Sequence, residues 1–384
     1  MTTPSPFDLG EDQCTIRDLV RRVAEERVAP RAAEIDATGE YPQDMYDLLT
    51  ELGLFTLPFP KAYGGANSML SSCVAVEEFG RVCYNTAYLL VVQWTPFGAI
   101  LAGGTPEQKE RFLPGLANGE LRAAFSLTEP QSGSDVAGIK TRATRVEGGY
   151  RLNGGKIWCT NSAVSDFIVV AAKTGEGDER GAVNFFIVEA GTDGFSVGRK
   201  EDKLGARGVP SSAIFFEDVF IPEENRLGPE GEGFKTVMEA LNKSRPIIAA
   251  RGVGLAQGAI DHTQAFISER HAFGQPVSDF QGVRWMLADM QIQTEAARGL
   301  VYKAAAAVDA GLEGNDLAIQ AAISKCHATD TAMQVATDAV QLFGASGISN
   351  EYPINRYFRD AKVLQIVEGT NQIQRNIISR VMLR

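Results

Sequence analysis

The chain has 384 residues, 44% of them hydrophobic and 22% charged, enough to bury a sizeable core in two or three domains without disulfide or metal staples. Its 37 Lys and Arg against 48 Asp and Glu leave a net charge of −11, which excludes a broad basic face for a nucleic-acid backbone but not a local pocket for one phosphorylated ligand. No apolar run reaches the ~18–20 residues of a membrane span, and the acidic start lacks the basic and apolar stretches of a signal peptide.

From about residue 13 to 120 the apolar period is helical. Thr15 reads as a cap-like start, with Ile16, Leu19, Val20 and Val23 at helical spacing. Pro42 opens a second helix that stops near Gly53, segments around 68–82 and 85–102 follow, and Thr105 with Pro106 starts a shorter one. From about 122 to 231 the period is two: β-rich runs begin at Thr141, Tyr150, Phe167, Val183, Phe195 and Ala213, with hairpin-like turns expected at Glu147-Gly-Gly and Asn153-Gly-Gly. Short strands without intervening helices predict an antiparallel sheet or barrel. From about 232 onward long helical segments return and predict a bundle. The expected fold class is α+β, divided into a helical domain over 1–121, a β domain over 122–231 and a four-helix bundle over 232–384.

Cys14, Cys73, Cys83, Cys159 and Cys326 form no CxxC and read as thiols in a reducing, cytoplasmic setting. His262, His271 and His327 form no HExxH or i,i+4 pair, so no metal site is expected. Gly252, Gly254 and Gly258 miss the dinucleotide fingerprint by one place and sit in a helical run. There is no P-loop, and Ser346 lacks a nucleophile elbow.

Four segments carry chemistry. Phe125 to Asp135 (FSLTEPQSGSD) packs hydroxyls, an amide and two carboxylates into one irregular loop. Gly155 to Asn161 (GKIWCTN) is a strand that ends on Trp158 and the Thr160 hydroxyl. Arg270 to Gln281 closes one helix and opens another. Arg359 to Gln372 breaks two helical stretches at Glu368-Gly-Thr and puts a carboxylate at a helix end.

In this order and at these separations the segments resemble the acyl-CoA dehydrogenase family, over essentially the whole chain. The resemblance implies a helical domain, a middle antiparallel β domain and a C-terminal four-helix bundle, with FAD between the last two. It implies that Phe125, Leu127, Thr128, Gly133 and Ser134 approach the flavin or thioester tail, with Trp158 and Thr160 against the isoalloxazine. Arg270, Phe273 and Gln281 would reach the FAD of a neighbouring subunit, with Gln341, Gly344, Thr370 and Gln372 completing the pocket, so a homo-oligomer, usually a homotetramer, is implied. Two departures stand out: Cys159, which should face away from Trp158 and Thr160, and Ala345, whose methyl crowds a position often held by Gly.

The resemblance also implies the reaction: α,β-dehydrogenation of an acyl-CoA thioester to the trans-2-enoyl-CoA, as in β-oxidation of fatty acids, with electrons passed to an electron-transferring flavoprotein. Glu368 matches the family's base. The position that carries the base in other branches is Ser244, which cannot serve. The thioester oxygen would be held by the Glu368 N–H and the FAD ribityl chain. Arg245 and Asn242 would lie near the CoA moiety, and Ser134, Val367 and Gly369 near the acyl thioester. Gln93 and Trp94 would line the acyl pocket, and the bulk of Trp94 and Phe97 predicts short to medium acyl groups, about four to eight carbons. Asn85 stands where glutaryl-type relatives carry Arg, so a terminal carboxylate has no partner there. Alternatives on the same fold are an acyl-CoA oxidase, an enoyl-CoA reductase run in the opposite direction, and a non-catalytic assembly protein, which would have lost the base.

Overall fold

The computed structural model describes residues 9–174 and 183–383. The first helical layer comprises α1 (Glu11–Val23), α2 (Ala32–Thr38), α3 (Gln43–Glu51), α4 (Met69–Val82), α5 (Tyr84–Gly103) and α6 (Pro106–Ala117). Local chemistry sets their starts. The Ser68 side chain accepts from Ser71 N at 3.1 Å to cap α4, and Thr105 with Gln108 forms a reciprocal capping box on α6. The start expected at Thr15 is displaced. α1 begins at Glu11, and Thr15 Oγ1 donates back to Glu11 O at 3.0 Å inside the helix. By length and composition α5 is apolar enough to cross a membrane, which a search for unbroken apolar runs overlooks; 72% of that window is buried inside the fold.

The middle layer is one sheet of β1 (Ala123–Ser126), β2 (Arg142–Val146), β3 (Gly149–Thr160), β4 (Phe167–Lys173), β5 (Val183–Glu189), β6 (Phe195–Lys200), β7 (Ser211–Pro222) and β8 (Arg226–Leu227). Their order is β6-β7-β3-β2-β4-β5-β8, with β1 paired to β4. Pairing is antiparallel except along β1–β4 and where β2 touches β4. Glu147-Gly-Gly does turn the chain, from β2 into β3. The turn expected at Asn153-Gly-Gly does not form. β3 runs through it with a register slip at Gly154 (φ +138°), because a bulge absorbs the glycine pair without ending the ladder.

The last layer is α7 (Gly233–Glu269), a two-stranded ribbon of β9 (His271–Ala272) and β10 (Gln275–Pro276), then α8 (Gln281–Asp309), α9 (Gly314–Phe343), α10 (Pro353–Leu364) and α11 (Asn371–Met382). α7 packs against α4 and α5 as well as α8 and α9, so one core spans both helical layers. The glycines of α7 serve that crossing. A Cβ at Gly254 would fall 2.1 Å from Glu77 O, and one at Gly258 would fall 1.9 Å from Arg81 O. A second core, including Tyr150, Leu152, Phe186, Ile214 and Phe216, fills the other side of the sheet.

Candidate active site

β1 runs directly into the loop that begins at Leu127. A buried ion pair fixes that loop. The Glu129 carboxylate accepts from Lys156 Nζ at 2.7 Å, Lys140 N at 2.6 Å and Thr141 N at 3.0 Å. Lys156 Nζ also donates to Leu127 O at 3.2 Å, and Ile157 N donates to Thr128 O at 2.9 Å. Burial works against the Glu129 charge, but Lys156 and the other donors hold its pKa down to about 2. Burial pushes Lys156 down to about 8 against the pull of Glu129, so both groups stay charged at neutral pH. Leu127 and Thr128 are thereby pinned beside the next residues of β3, Trp158 and Thr160.

Between Lys156 and Cys159 the β3–β7 register slips again. Trp158 takes a left-handed φ of +57° and is 54% exposed. Cys159 is buried on the opposite face, as the alternation predicts, and Thr160 Oγ1 lies 3.2 Å from Ser211 Oγ. A large indole held out by a bulge is the signature of a platform rather than of core packing.

The second half of the site is the turn 365–370 between α10 and α11. Glu368 (φ +56°) and Gly369 (φ +88°) are both left-handed, a conformation that costs a non-glycine residue about 1–2 kcal/mol. The surroundings impose it. Fully buried Lys325 of α9 donates to Gly369 O and to Asn371 Oδ1, both at 2.9 Å, and Gln374 Nε2 donates to Gly369 O at 2.9 Å. Thr370 caps α11 by accepting from Ile373 N at 3.3 Å, and Asn371 Nδ2 donates to Asp330 Oδ1 at 2.7 Å. Burial raises the proton affinity of the half-buried Glu368, opposed by the charges of Arg251, Lys325 and Arg245 in that order. Val367 and Gly369 flank it, both half-buried.

Arg245 is buried on α7, and its guanidinium donates to Asn242 Oδ1 one turn earlier. Burial lowers its pKa to about 10, opposed by Glu368, so it remains a cation. Thr370 and Gln372 share an open cleft of about 390 Å³ with Asp330, Gln365 and Arg375.

Other residues singled out in the sequence lie elsewhere. Gly133 and Ser134 are exposed in their loop. Arg270, Phe273, Gln281, Gln341 and Gly344 are all exposed on the helical bundle. Phe273, at the tip of the β9–β10 ribbon, is 96% exposed with φ +52°. Gln93 and Trp94 are buried in α5 and bonded to backbone carbonyls. The Gln93 amide donates to Leu116 O at 3.2 Å and Leu121 O at 2.6 Å, and the Trp94 indole donates to Phe55 O at 2.8 Å. Both polar groups tie α5 to other parts of the first helical layer, and Phe97 stacks on Phe59 at 3.8 Å, so this bulk is packed within that layer's core. Lys325 and Arg251, which sequence reasoning missed, are the cations nearest in effect to Glu368. Each is a lone charge in a helical run that is otherwise mostly small or apolar, a signal visible in the sequence.

The chain matches the acyl-CoA dehydrogenase N-terminal domain over residues 10–120, the middle domain over 124–219 and the C-terminal domain over 231–383. The chain belongs to the acyl-CoA dehydrogenase family. It is 41% identical over 380 residues to cyclohexane-1-carbonyl-CoA dehydrogenase of Geobacter metallireducens, covering 98% of this chain and 99% of that one. It is also 41% identical over 380 residues to a short-chain-specific acyl-CoA dehydrogenase of Clostridium acetobutylicum, covering 98% and 100%. The butyryl-CoA dehydrogenase structure from Megasphaera elsdenii superposes with a TM-score of 0.95 at 39% identity, covering 99% and 100% of the two chains.

This acyl-CoA dehydrogenase is therefore an oxidoreductase acting on the Cα–Cβ bond of a CoA thioester, and the family implies FAD. The residues present fit that group. Trp158 leaves much of its indole uncovered two residues from Thr160 and next to Ile157, whose N–H holds the Thr128 carbonyl, and nothing lies within 4 Å of where a Cβ would stand on Gly133 or Gly344.

Proposed function

We propose that Glu368 is the base of an FAD-dependent α,β-dehydrogenation of an acyl-CoA thioester. One observation carries the assignment: a carboxylate of raised proton affinity, on a clamped left-handed turn, with three cations opposing the effect of its burial. Its carboxylate takes the α proton, and the acyl chain completes the exclusion of water that strengthens the base. Among the described residues no backbone acceptor takes the Glu368 N–H, which leaves it for the thioester oxygen, where enolate charge develops. FAD, when bound, supplies the acceptor for the β hydride.

Trp158 and Thr160 support the flavin ring, with Phe125, Leu127, Thr128, Gly133 and Ser134 from the loop pinned by Lys156. Arg270, Phe273 and Gln281 of one subunit meet the cofactor of another beside Gln341, Gly344, Thr370 and Gln372. The exposure of Phe273 and Arg270 on the single chain supports a homo-oligomer, and the family points to a homotetramer. Arg245 and Asn242 orient the CoA moiety, while Ser134, Val367 and Gly369 border the acyl thioester. Electrons leave to an electron-transferring flavoprotein. The purified protein is tested for about one FAD per chain, and the bound flavin is titrated anaerobically with a panel of acyl-CoAs. Substrate-driven bleaching is the expected result. A protein that neither holds nor takes up FAD overturns the proposal.

A further inference from the structure

Residues 246–258 of α7 read PIIAARGVGLAQG, an apolar and small-residue run broken by one charge, Arg251. Arg251 is fully buried, and its Nε, Nη1 and Nη2 all lack a hydrogen bond of ordinary geometry. Its visible partners are ring faces. The guanidinium carbon lies 3.9 Å from the Tyr88 ring centroid and 4.6 Å from that of Tyr84. The Tyr84 hydroxyl is likewise buried without a partner. Stacking on two tyrosines offsets part of the cost of burying the charge but satisfies none of its five N–H donors.

The cluster borders the proposed reaction centre. Arg251 is the charge that acts most on the Glu368 carboxyl, yet no ion pair joins the two among the described residues. Arg251, Lys325 and Arg245 surround a single glutamate. Lys325 is satisfied by Gly369 and Asn371, and Arg245 has Asn242. Of the three, Arg251 is the cation whose side-chain nitrogens are all left without an acceptor. Asp360, the other carboxylate felt by Tyr84, accepts from Ala206 N at 2.7 Å and forms no ion pair with Arg251 among the described residues. Asn85, the position that carries Arg in glutaryl-type relatives, is uncharged and accepts from Gly208 N at 3.0 Å.

We infer that Arg251, flanked by Tyr84 and Tyr88, is the receptor for an anionic group at the far end of a short acyl chain. The substrates are then CoA monothioesters of short dicarboxylic acids rather than plain fatty acids. This deepens the proposed function and rests on Glu368 marking where the α-carbon lies. An incoming carboxylate supplies the acceptors that the buried guanidinium and the Tyr84 hydroxyl lack, in bidentate geometry if both oxygens engage. A hydrocarbon terminus leaves them unpaired, and a site built around a buried polar group rejects the ligand that fails to satisfy it.

The test uses the holoenzyme and two inert analogues with sulfur in place of the β-carbon: 3-thiaglutaryl-CoA and its uncharged isostere 3-thia-5-methylhexanoyl-CoA. Their CoA parts are identical, so calorimetric affinities differ only through the terminus. The carboxylated analogue should bind roughly tenfold tighter or more, the low end for a charge-assisted hydrogen bond. In Arg251→Gln that preference should vanish or invert. Should that variant fail to fold, the wild-type comparison stands alone, and Tyr84→Phe should narrow the preference severalfold. Equal or tighter binding of the uncharged isostere to wild type overturns the inference. The two readings also separate in flavin bleaching. Reduction by butyryl-CoA but not by glutaryl-CoA or succinyl-CoA defeats the dicarboxylate assignment alone. Preferential binding of the anionic analogue with no reduction by any thioester defeats the dehydrogenation reading instead.

Discussion

Lys156→Met isolates the device that holds the flavin-side loop. The Lys156 and Glu129 side chains are 0% and 2% exposed, so the substitution strands a carboxylate out of water. Removing one partner of a buried pair costs about 3–5 kcal/mol. Glu129 keeps three donors, Lys140 N, Thr141 N and Gln131 Nε2, while Leu127 O loses its own, which points to about 3 kcal/mol, the low end, as the loss here. At about 1.4 kcal/mol per decade, that is a roughly hundredfold larger equilibrium population of the open loop. Native-state hydrogen exchange over residues 127–142 measures it, with the Lys140 and Thr141 amides as reporters, alongside the rate of flavin loss. The double variant Lys156→Met, Glu129→Gln removes both charges and should return to within about 1–2 kcal/mol of wild type. Unchanged exchange in the single variant, or a double variant no better than the single, would refute the reasoning.

Three further outcomes follow from the same structure. Glu368 binds its proton more tightly in the fold than in the unfolded chain, so stability falls as pH rises from about 4.3, the ordinary glutamate value, through the raised one. Glu368→Gln should therefore melt higher than wild type at pH 8, with the gain fading by pH 4; a gain independent of pH contradicts the assignment. Trp94→Ala should cost about 3–5 kcal/mol as a core truncation while leaving the ratio of kcat/KM among C4, C8 and C16 thioesters unchanged; a swing toward long chains would return Trp94 to the acyl pocket. Arg270→Ala should lower both flavin content and assembly mass in sedimentation. Full FAD loading at unchanged mass would remove Arg270 from the cofactor site.

The helical, β, helical order was legible because period 3.6 and period 2 segregate cleanly along the chain, and capping chemistry fixed starts such as Thr105. The motifs around Trp158 and Glu368 were legible because unusual residue types sit in turns. What stayed hidden depends on contacts distant in sequence. No local pattern says that Trp94 reaches Phe55 across 39 residues, or that Lys325 closes on Gly369 across 44. Asn153-Gly-Gly read as a turn because its composition is that of a turn; only pairing with β7 turns it into a bulge. Arg251 was passed over because its run reads as buried helix. A charge where the pattern demands an apolar residue marks a place where packing gives way to chemistry.

The central claim is that Glu368 removes the α proton. Its most direct test is anaerobic stopped-flow of wild type and Glu368→Gln, each loaded with FAD and mixed with the best-bound acyl-CoA. The amide is nearly isosteric but cannot accept the proton, so it should bind the thioester and perturb the flavin spectrum while bleaching at least ~10³-fold more slowly than wild type. Bleaching by the variant at the wild-type rate would place the base elsewhere.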